Sequence, residues 1–399
     1  MSNDRFAEAL KMLGVTPPTK ISLTTRKETY AFAKTDANFI ELEDHPDPDV
    51  QALVAARMGL KTTLEETRTQ RMQAISRLTW QKGGVGWMPI PLRYSGAHTH
   101  RLSGDWKINM QNLPRGGKLR YALKAPNGRK VVAADASQIE ARLVAWFCGC
   151  TALVSAFAKG DDTYSNFASV VFNRPINKKD NPDERFVGKQ SILGLGFGMG
   201  ATKFAKNIVK DARLQTGKDI VMPDEEARRI VNLYRSSYPQ IPAMWRRLDD
   251  AIVRMTRQDC DYAIGPIRVQ YQSILLPNGL KLYYHGLQNI GDEWRFTYNG
   301  KPKYIYGAKL LENIIQALAR ICTMDTAVRC RKLFAQIGDD ALELAMQVHD
   351  ELVYIPDAVI AEFVSKILMR EMCRRPWWAP DLPLAAEVKS PGASYGDVK

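Results

Sequence analysis

The sequence predicts an α+β fold, and three observations carry that prediction. Two apolar runs far apart in the chain meet acidic residues, VVAADASQIEARLVAWF around Asp135 and AMQVHDELVYI around Asp350. Each reads as a buried strand that ends on, or turns at, an aspartate. Around them lie amphipathic segments with helical spacing, and strand-like alternation returns at about residues 271–306. Strand, helices, then strands and helices again is an α+β order with helical appendages.

Taken in order, FAEALKMLG is a short amphipathic helix and PPTKISLTTRKETYAFAK a polar linker. VQALVAARMGLKTTLEETRTQRMQAISRL reads as one long helix whose basic residues face away from its apolar side, either a solvated face or a rail for a phosphate backbone. A loop containing Gly84, Gly96 and Gly104 leads into RLSGDWKINMQNLPRG, which reads as irregular structure. The strand KVVAADA follows, then a helix beginning near Ser137 through SQIEARLVAWF. From about residue 151 to 270 the pattern is helical, broken by the turn-rich FNRPINKKDNPD. The turn signals PNG and YNGK punctuate strands to about residue 306. The helix AKLLENIIQALARICTMDTAVRCRKLFAQ precedes the hairpin AMQVHDELVYIP, and another helix follows.

A chain of 399 residues is long enough for two or three domains. The 56 Lys and Arg against 43 Asp and Glu leave a formal net charge of +13, which suits a polyanionic partner, nucleic acid ahead of an anionic membrane. No apolar stretch approaches the roughly 20 residues needed to cross a bilayer. No secretory signal opens the chain, so a cytoplasmic location is expected. The six cysteines and five histidines are dispersed without zinc-site spacing, so zinc catalysis is set aside and reduced thiols are expected.

A buried carboxylate needs a compensating cation. Asp135 at a strand exit and Asp350 at a hairpin turn, brought together, form a magnesium site suited to phosphoryl transfer. Glu351 adjoins Asp350, and Glu140 lies in the helix after Asp135. In ERFVGKQSILGLGFGMG, Arg185, Lys189, Leu193 and Phe197 recur every fourth residue and share one face of a helix. Two cations followed by two apolar groups suit a triphosphate at one end and a sugar and base at the other. Gly188, Gly194 and Gly196 in a helix mark close approach by another backbone or a base. Their spacing, with no strand ahead of them, does not match a dinucleotide-binding fingerprint.

DASQIEARLVAW, RFVGKQSILGLGFGMG and QVHDELVY together resemble motifs A, B and C of family A DNA polymerases, in the family's order. RLSGDWKINMQNLP resembles the family segment that grips the primer–template, and ENIIQALAR its template-contacting fingers helix. LENIIQALAR and the closing SYGDVK look closer to the phage members. The resemblance implies a right-hand polymerase fold with an antiparallel-sheet palm, helical fingers and a partial helical thumb. Its implied divisions are 1–100 partial thumb and entry to the palm, 101–150 palm with motif A, 151–270 fingers with motif B, and 271–399 palm with motif C and a C-terminal helix.

The resemblance also implies roles. Asp135 and Asp350, with the carbonyl of Ala136, would hold two magnesium ions, with manganese as a substitute, and Glu351 would support them. Arg185 and Lys189 would bind the incoming triphosphate, with Lys189 donating a proton to pyrophosphate. Ser137, Gln138, Glu140, Leu193 and Phe197 would line the nucleotide site, Glu140 closing the space beside the sugar 2′ position. Arg101, Asn109, Gln111, Asn112, Gln316, Gln347 and His349 would contact primer and template.

Three departures stand out. Phe197 replaces the family's usual Tyr and Leu193 its usual Phe or Tyr, so altered sugar selectivity is expected. The opening resembles the middle of the family's thumb, which implies that the proofreading exonuclease and first thumb half are absent. That leaves either one piece of a split polymerase completed by a second polypeptide, the favoured expectation, or a reduced enzyme that binds DNA weakly alone. The expected function is template-directed DNA synthesis from dNTPs in phage replication. A single-subunit RNA polymerase and a non-catalytic DNA-binding replisome subunit are the competing readings; Glu140 argues against the first, and Asp135, Asp350, Arg185 and Lys189 against the second.

Overall fold

The computed structural model describes residues 2–21, 28–33, 36–59, 63–77, 81–82, 85–106, 108–114, 116–216, 220–337 and 342–398. Gly84 and the junction 60–62 lie outside the described residues. The chain divides into two compact units, Met1–Thr79 and Trp80–Lys399. Among the described residues no helix is long and apolar enough to cross a membrane.

In the smaller unit the helix Asn3–Met12 is capped by Ser2, whose hydroxyl accepts from the Arg5 amide at 3.3 Å. It buries Phe6 and Leu10 against Phe32, Phe39, Val50 and Val54, with Phe6 edge-on to Phe32 at 4.9 Å. The expected polar linker instead contains an antiparallel pair, Thr19–Ile21 with Glu28–Tyr30. Its residues are mostly exposed, so no alternation of buried and polar positions marked it. The expected single long helix is described as two, Pro48–Gly59 and Thr63–Ser76.

The larger unit is built around a four-stranded antiparallel sheet in the order Leu344–Val348, Glu351–Tyr354, Val132–Ala136, Ala386–Val388. Val132, Ala134, Leu352 and Tyr354 point to one face, where helices Gly307–Ala335 and Ala361–Met372 bury them against Phe334, Val364 and Leu368. The period of two then sends Asp135 and Glu351 to the opposite face. One face is therefore core, while the other carries acids.

Among the described residues, seven helices from Ile139–Phe147 to Gln240–Arg254 follow the strand Val132–Ala136 and share a second, larger core. The helical expectation for 151–270 fails at its end, where Asp261–Ile264 and Ile267–Gln270 are strands of a four-stranded antiparallel sheet completed by Ser273–Leu275 and Lys281–Tyr283. Gly265, at φ 55°, turns that hairpin, a conformation glycine adopts without penalty. A three-stranded sheet, Gln288–Ile290, Glu293–Tyr298 and Lys301–Ile305, precedes the 29-residue helix Gly307–Ala335. The segment expected to be irregular contains the short strand Ser103–Gly104 and a 3-10 turn, Met110–Asn112.

Candidate active site

Strand Val132–Ala136 delivers Asp135 to the end of the sheet, and the turn at His349 and Asp350 arrives beside it. His349 makes that turn in the left-handed region, φ 54°. Asp135 stands opposite Glu351 on one neighbouring strand and Glu387 on the other. The Ala136 amide donates to the Asp350 carbonyl at 3.1 Å, which locks the two chain segments together. Glu351 is buried and accepts from the Tyr395 hydroxyl at 2.7 Å, so the closing segment of the chain supports the site.

The Asp350 side chain is 19% exposed. Burial pushes its carboxyl up to about 6; Arg101 pulls it down, while the charges of Glu140 and Asp135 push it further up. Arg101 Nη2 donates to Glu140 Oε1 at 2.5 Å and to Asp350 Oδ1 at 3.4 Å. Among the described residues, no three His, Cys, Asp or Glu side chains converge as a ready-made ion cage. The oxygen donors at Asp135 and Asp350 nonetheless fit magnesium, which takes one or two carboxylates and completes its shell with water and substrate phosphates.

The segment bearing Arg101 is tied down at three successive residues. His98 Nε2 bonds the Tyr283 carbonyl at 2.8 Å, Thr99 Oγ1 donates to Gln316 Oε1 at 3.4 Å, and His100 Nε2 bonds the Lys281 carbonyl at 3.0 Å. Burial lowers the pKa of both histidines. Of the expected DNA-contacting residues, Gln111 Nε2 donates to the Gln347 carbonyl at 3.3 Å, and Gln347 Nε2 to the His349 carbonyl at 3.1 Å. Asn109 caps the 3-10 turn by accepting from the Gln111 amide at 3.0 Å, and Asn112 is exposed beside it. Gln316 lies on the long helix, where its amide donates to Glu312 at 3.2 Å.

Helix Pro182–Gly194 carries the remaining candidates. Pro182 starts it, and Asp183 and Glu184 in its first turn complement the helix dipole. Arg185, Lys189 and Leu193 share its face, but the helix ends at Gly194 and Phe197 follows in a 3-10 turn. Gly188 sits where a Cβ would lie 2.2 Å from the Tyr164 carbonyl, so helix Thr163–Phe172 packs backbone to backbone against it. The glycine signal meant close approach. Arg185 bonds Asp162 through Nε at 2.6 Å and Nη2 at 3.1 Å, and lies 5.3 Å over the Tyr164 ring. Gln138 is left-handed at φ 54°, which delays the helix to Ile139, and its side chain bonds Tyr164. The Ser137 amide donates to the Ala385 carbonyl at 2.9 Å.

Sequence reasoning missed Asp162, Tyr164, Tyr395 and the two anchoring histidines. Asp162 and Tyr164 had one faint signal, an acidic residue just before an apolar run. His98 and His100 had none, because their partners are carbonyls about 180 positions away.

The family model for DNA polymerase family A matches residues 11–259. The chain is 27% identical over 304 residues to a DNA polymerase of Bacillus phage SP02, covering 67% of this chain and 42% of that protein. It is 31% identical over 278 residues to the thermostable DNA polymerase I of Thermus aquaticus, covering 69% of this chain and 28% of that protein. The chain thus spans less than half the length of these relatives. The polymerase domain of Pol1 from M. smegmatis, solved in complex with DNA primer-template and dNTP, aligns over 98% of this chain and 60% of its own, with a TM-score of 0.68 and 21% identity. That likeness establishes the right-hand polymerase fold, and the family model, matching more than half of the chain, shows that it belongs to DNA polymerase family A.

Proposed function

We propose that the chain is a template-directed DNA polymerase that extends a primer 3′ end with deoxynucleotides. The observation that carries this reading is the meeting of Asp135 and Asp350 at one end of the sheet, with an elevated Asp350 carboxyl that calls for a cation. Asp135 and Asp350 would hold two magnesium ions, with the Ala136 carbonyl assisting. When bound, these supply charge neutralisation and activate the attacking hydroxyl. Arg185, oriented by Asp162, and Lys189 bind the triphosphate, and Lys189 protonates the leaving pyrophosphate. Leu193 and Phe197 pack against sugar and base, Ser137 and Gln138 line the same site, and Glu140 closes the 2′ side.

Among the described residues, Gln347 Oε1 and Arg101 Nε are buried without hydrogen-bond partners, the condition expected of groups that await a nucleic acid. With Asn109, Gln111, Asn112, Gln316 and His349 they are assigned to primer and template. The palm, fingers and partial thumb divisions, the role in phage replication and a companion polypeptide for the thumb belong to the same proposal. Primer extension and gel filtration with and without co-expressed neighbours address the companion.

The deciding experiment is magnesium-dependent primer extension with all four dNTPs. Asp135→Asn and Asp350→Asn should each abolish extension while primer–template binding stays within a few-fold of wild type. Extension that survives either change would overturn the proposal.

A further inference from the structure

Among the described residues, three arginines are almost wholly buried: Arg120, Arg142 and Arg320, at 5–6% exposure. Two of them are bonded within the protein, although Arg120 Nη1 is itself enclosed without a partner among the described residues. Arg142 donates to the carbonyls of Ser137, Phe157 and Pro383 at 2.8, 3.3 and 3.0 Å. Arg120 grips the Leu113 carbonyl through Nε at 3.1 Å and Nη2 at 2.6 Å. Both are struts that tie loops together.

Arg320 differs. It lies on helix Gly307–Ala335 and, among the described residues, makes no hydrogen bond or ion pair. Its Nε is enclosed without a partner. Its guanidinium lies 5.2 Å over the ring of Tyr94, which is itself 65% exposed. An enclosed guanidinium nitrogen without a partner is destabilising, and the charge of Asp325 and stacking on one tyrosine offset only part of that. An acceptor from outside the chain would offset the rest.

The surroundings indicate which acceptor. Gln316 lies one helical turn before Arg320 and is bonded by Thr99, the residue between the two anchoring histidines. Arg320 is close enough for its charge to act on His100, next to Arg101. Arg320 therefore belongs to the cluster formed by Tyr94, the 98–101 segment and Gln316, while Arg185 and Lys189 stand on another helix. A planar guanidinium beside an exposed aromatic ring suits a phosphodiester, whose oxygens accept its paired donors. We infer that Arg320 is a nucleic-acid contact that takes a backbone phosphate of the primer–template, at a position made ready by Tyr94. This rests on the reading of the chain as a DNA polymerase.

The test uses the full chain, with Arg320→Met as an apolar replacement of similar reach and Arg320→Lys as the charge-conserving one. Primer–template affinity is measured by fluorescence anisotropy across a salt series. Thermal unfolding of the free protein and the dNTP KM are read alongside. Loss of one phosphate contact should reduce the slope of log K against log salt by about 0.9 in Arg320→Met. Arg320→Lys should keep the wild-type slope, and the dNTP KM should not move. The Tm of free Arg320→Met should equal or exceed that of wild type, because an enclosed donor without a partner has been removed.

An unchanged slope, a fallen Tm or a variant that does not fold would each overturn the inference, the last two by showing that the guanidinium is satisfied within the protein. A raised dNTP KM with an unchanged slope would assign Arg320 to the nucleotide instead, and would also overturn it. Failure of wild type itself to bind primer–template would refute the polymerase reading, a separate result from a wild-type slope in Arg320→Met.

Discussion

Arg101 bridges Glu140 and Asp350, one guanidinium nitrogen lying 2.5 Å from the first carboxylate and 3.4 Å from the second. The charges of Glu140 and Asp135 both act on Asp350 there, and the Arg101 cation offsets their repulsion. Arg101→Ala should therefore destabilise the metal-free protein at pH 8 by about 1–3 kcal/mol, the cost of leaving such groups unpaired. Urea unfolding in EDTA reads this directly, and an unchanged midpoint would show that the bridge carries no stability.

The raised Asp350 carboxyl gives stability a defined pH dependence. Its folded value of about 6 lies above the ordinary 3.8, so the folded state holds the proton more tightly. Stability from this group is fully present below about pH 4 and is lost as pH rises to about 6. Asp350→Asn removes the titration, so its metal-free unfolding curve should gain on wild type across that interval. Magnesium binding needs the ionised form, so wild-type affinity, read by calorimetry, should rise through pH 6. Parallel curves for wild type and variant would contradict the assignment.

Leu193 closes the candidate face of helix Pro182–Gly194, and Phe197 follows on the 3-10 turn. If both meet the incoming nucleotide, Leu193→Phe and Phe197→Tyr should shift discrimination among dNTP, rNTP and ddNTP by roughly tenfold, the scale of a small change in an apolar pocket. Steady-state incorporation ratios are the measurement. Ratios equal to wild type in both variants would remove these side chains from the sugar site.

Gly188 tests the packing that positions Arg185. A Cβ there would sit 2.2 Å from the Tyr164 carbonyl and 3.0 Å from the Ala168 Cβ, and backbone cannot yield cheaply. Gly188→Ala should cost about 1–3 kcal/mol by overpacking. Because Tyr164 and Asp162 both hold Arg185, the same change should raise the dNTP KM. Wild-type unfolding together with wild-type KM would mean that the two helices separate freely.

Local chemistry made much of this molecule legible. Asp135 at a strand exit, Asp350 in a tight turn and the four-residue spacing of Arg185, Lys189 and Leu193 follow from periodicity alone, because a buried strand or an amphipathic helix imposes its repeat on the sequence. The pair Thr19–Ile21 and Glu28–Tyr30 escaped because its exposed residues have no buried face to alternate against. Strands Asp261–Ile264 and Ile267–Gln270 were read into the helical stretch that runs up to them.

By itself, the sequence determined the α+β class, the acidic strand ends and the cation-bearing helix, because each is written in neighbouring residues. Tertiary structure alone decided the partners. Arg101 on Glu140 and Asp350, His98 and His100 on distant carbonyls, Asp162 under Arg185, and Arg320 over Tyr94 all depend on contacts between segments far apart in the chain. A hydrogen bond acts over about 3 Å, and chain spacing does not specify which distant group will come within that distance.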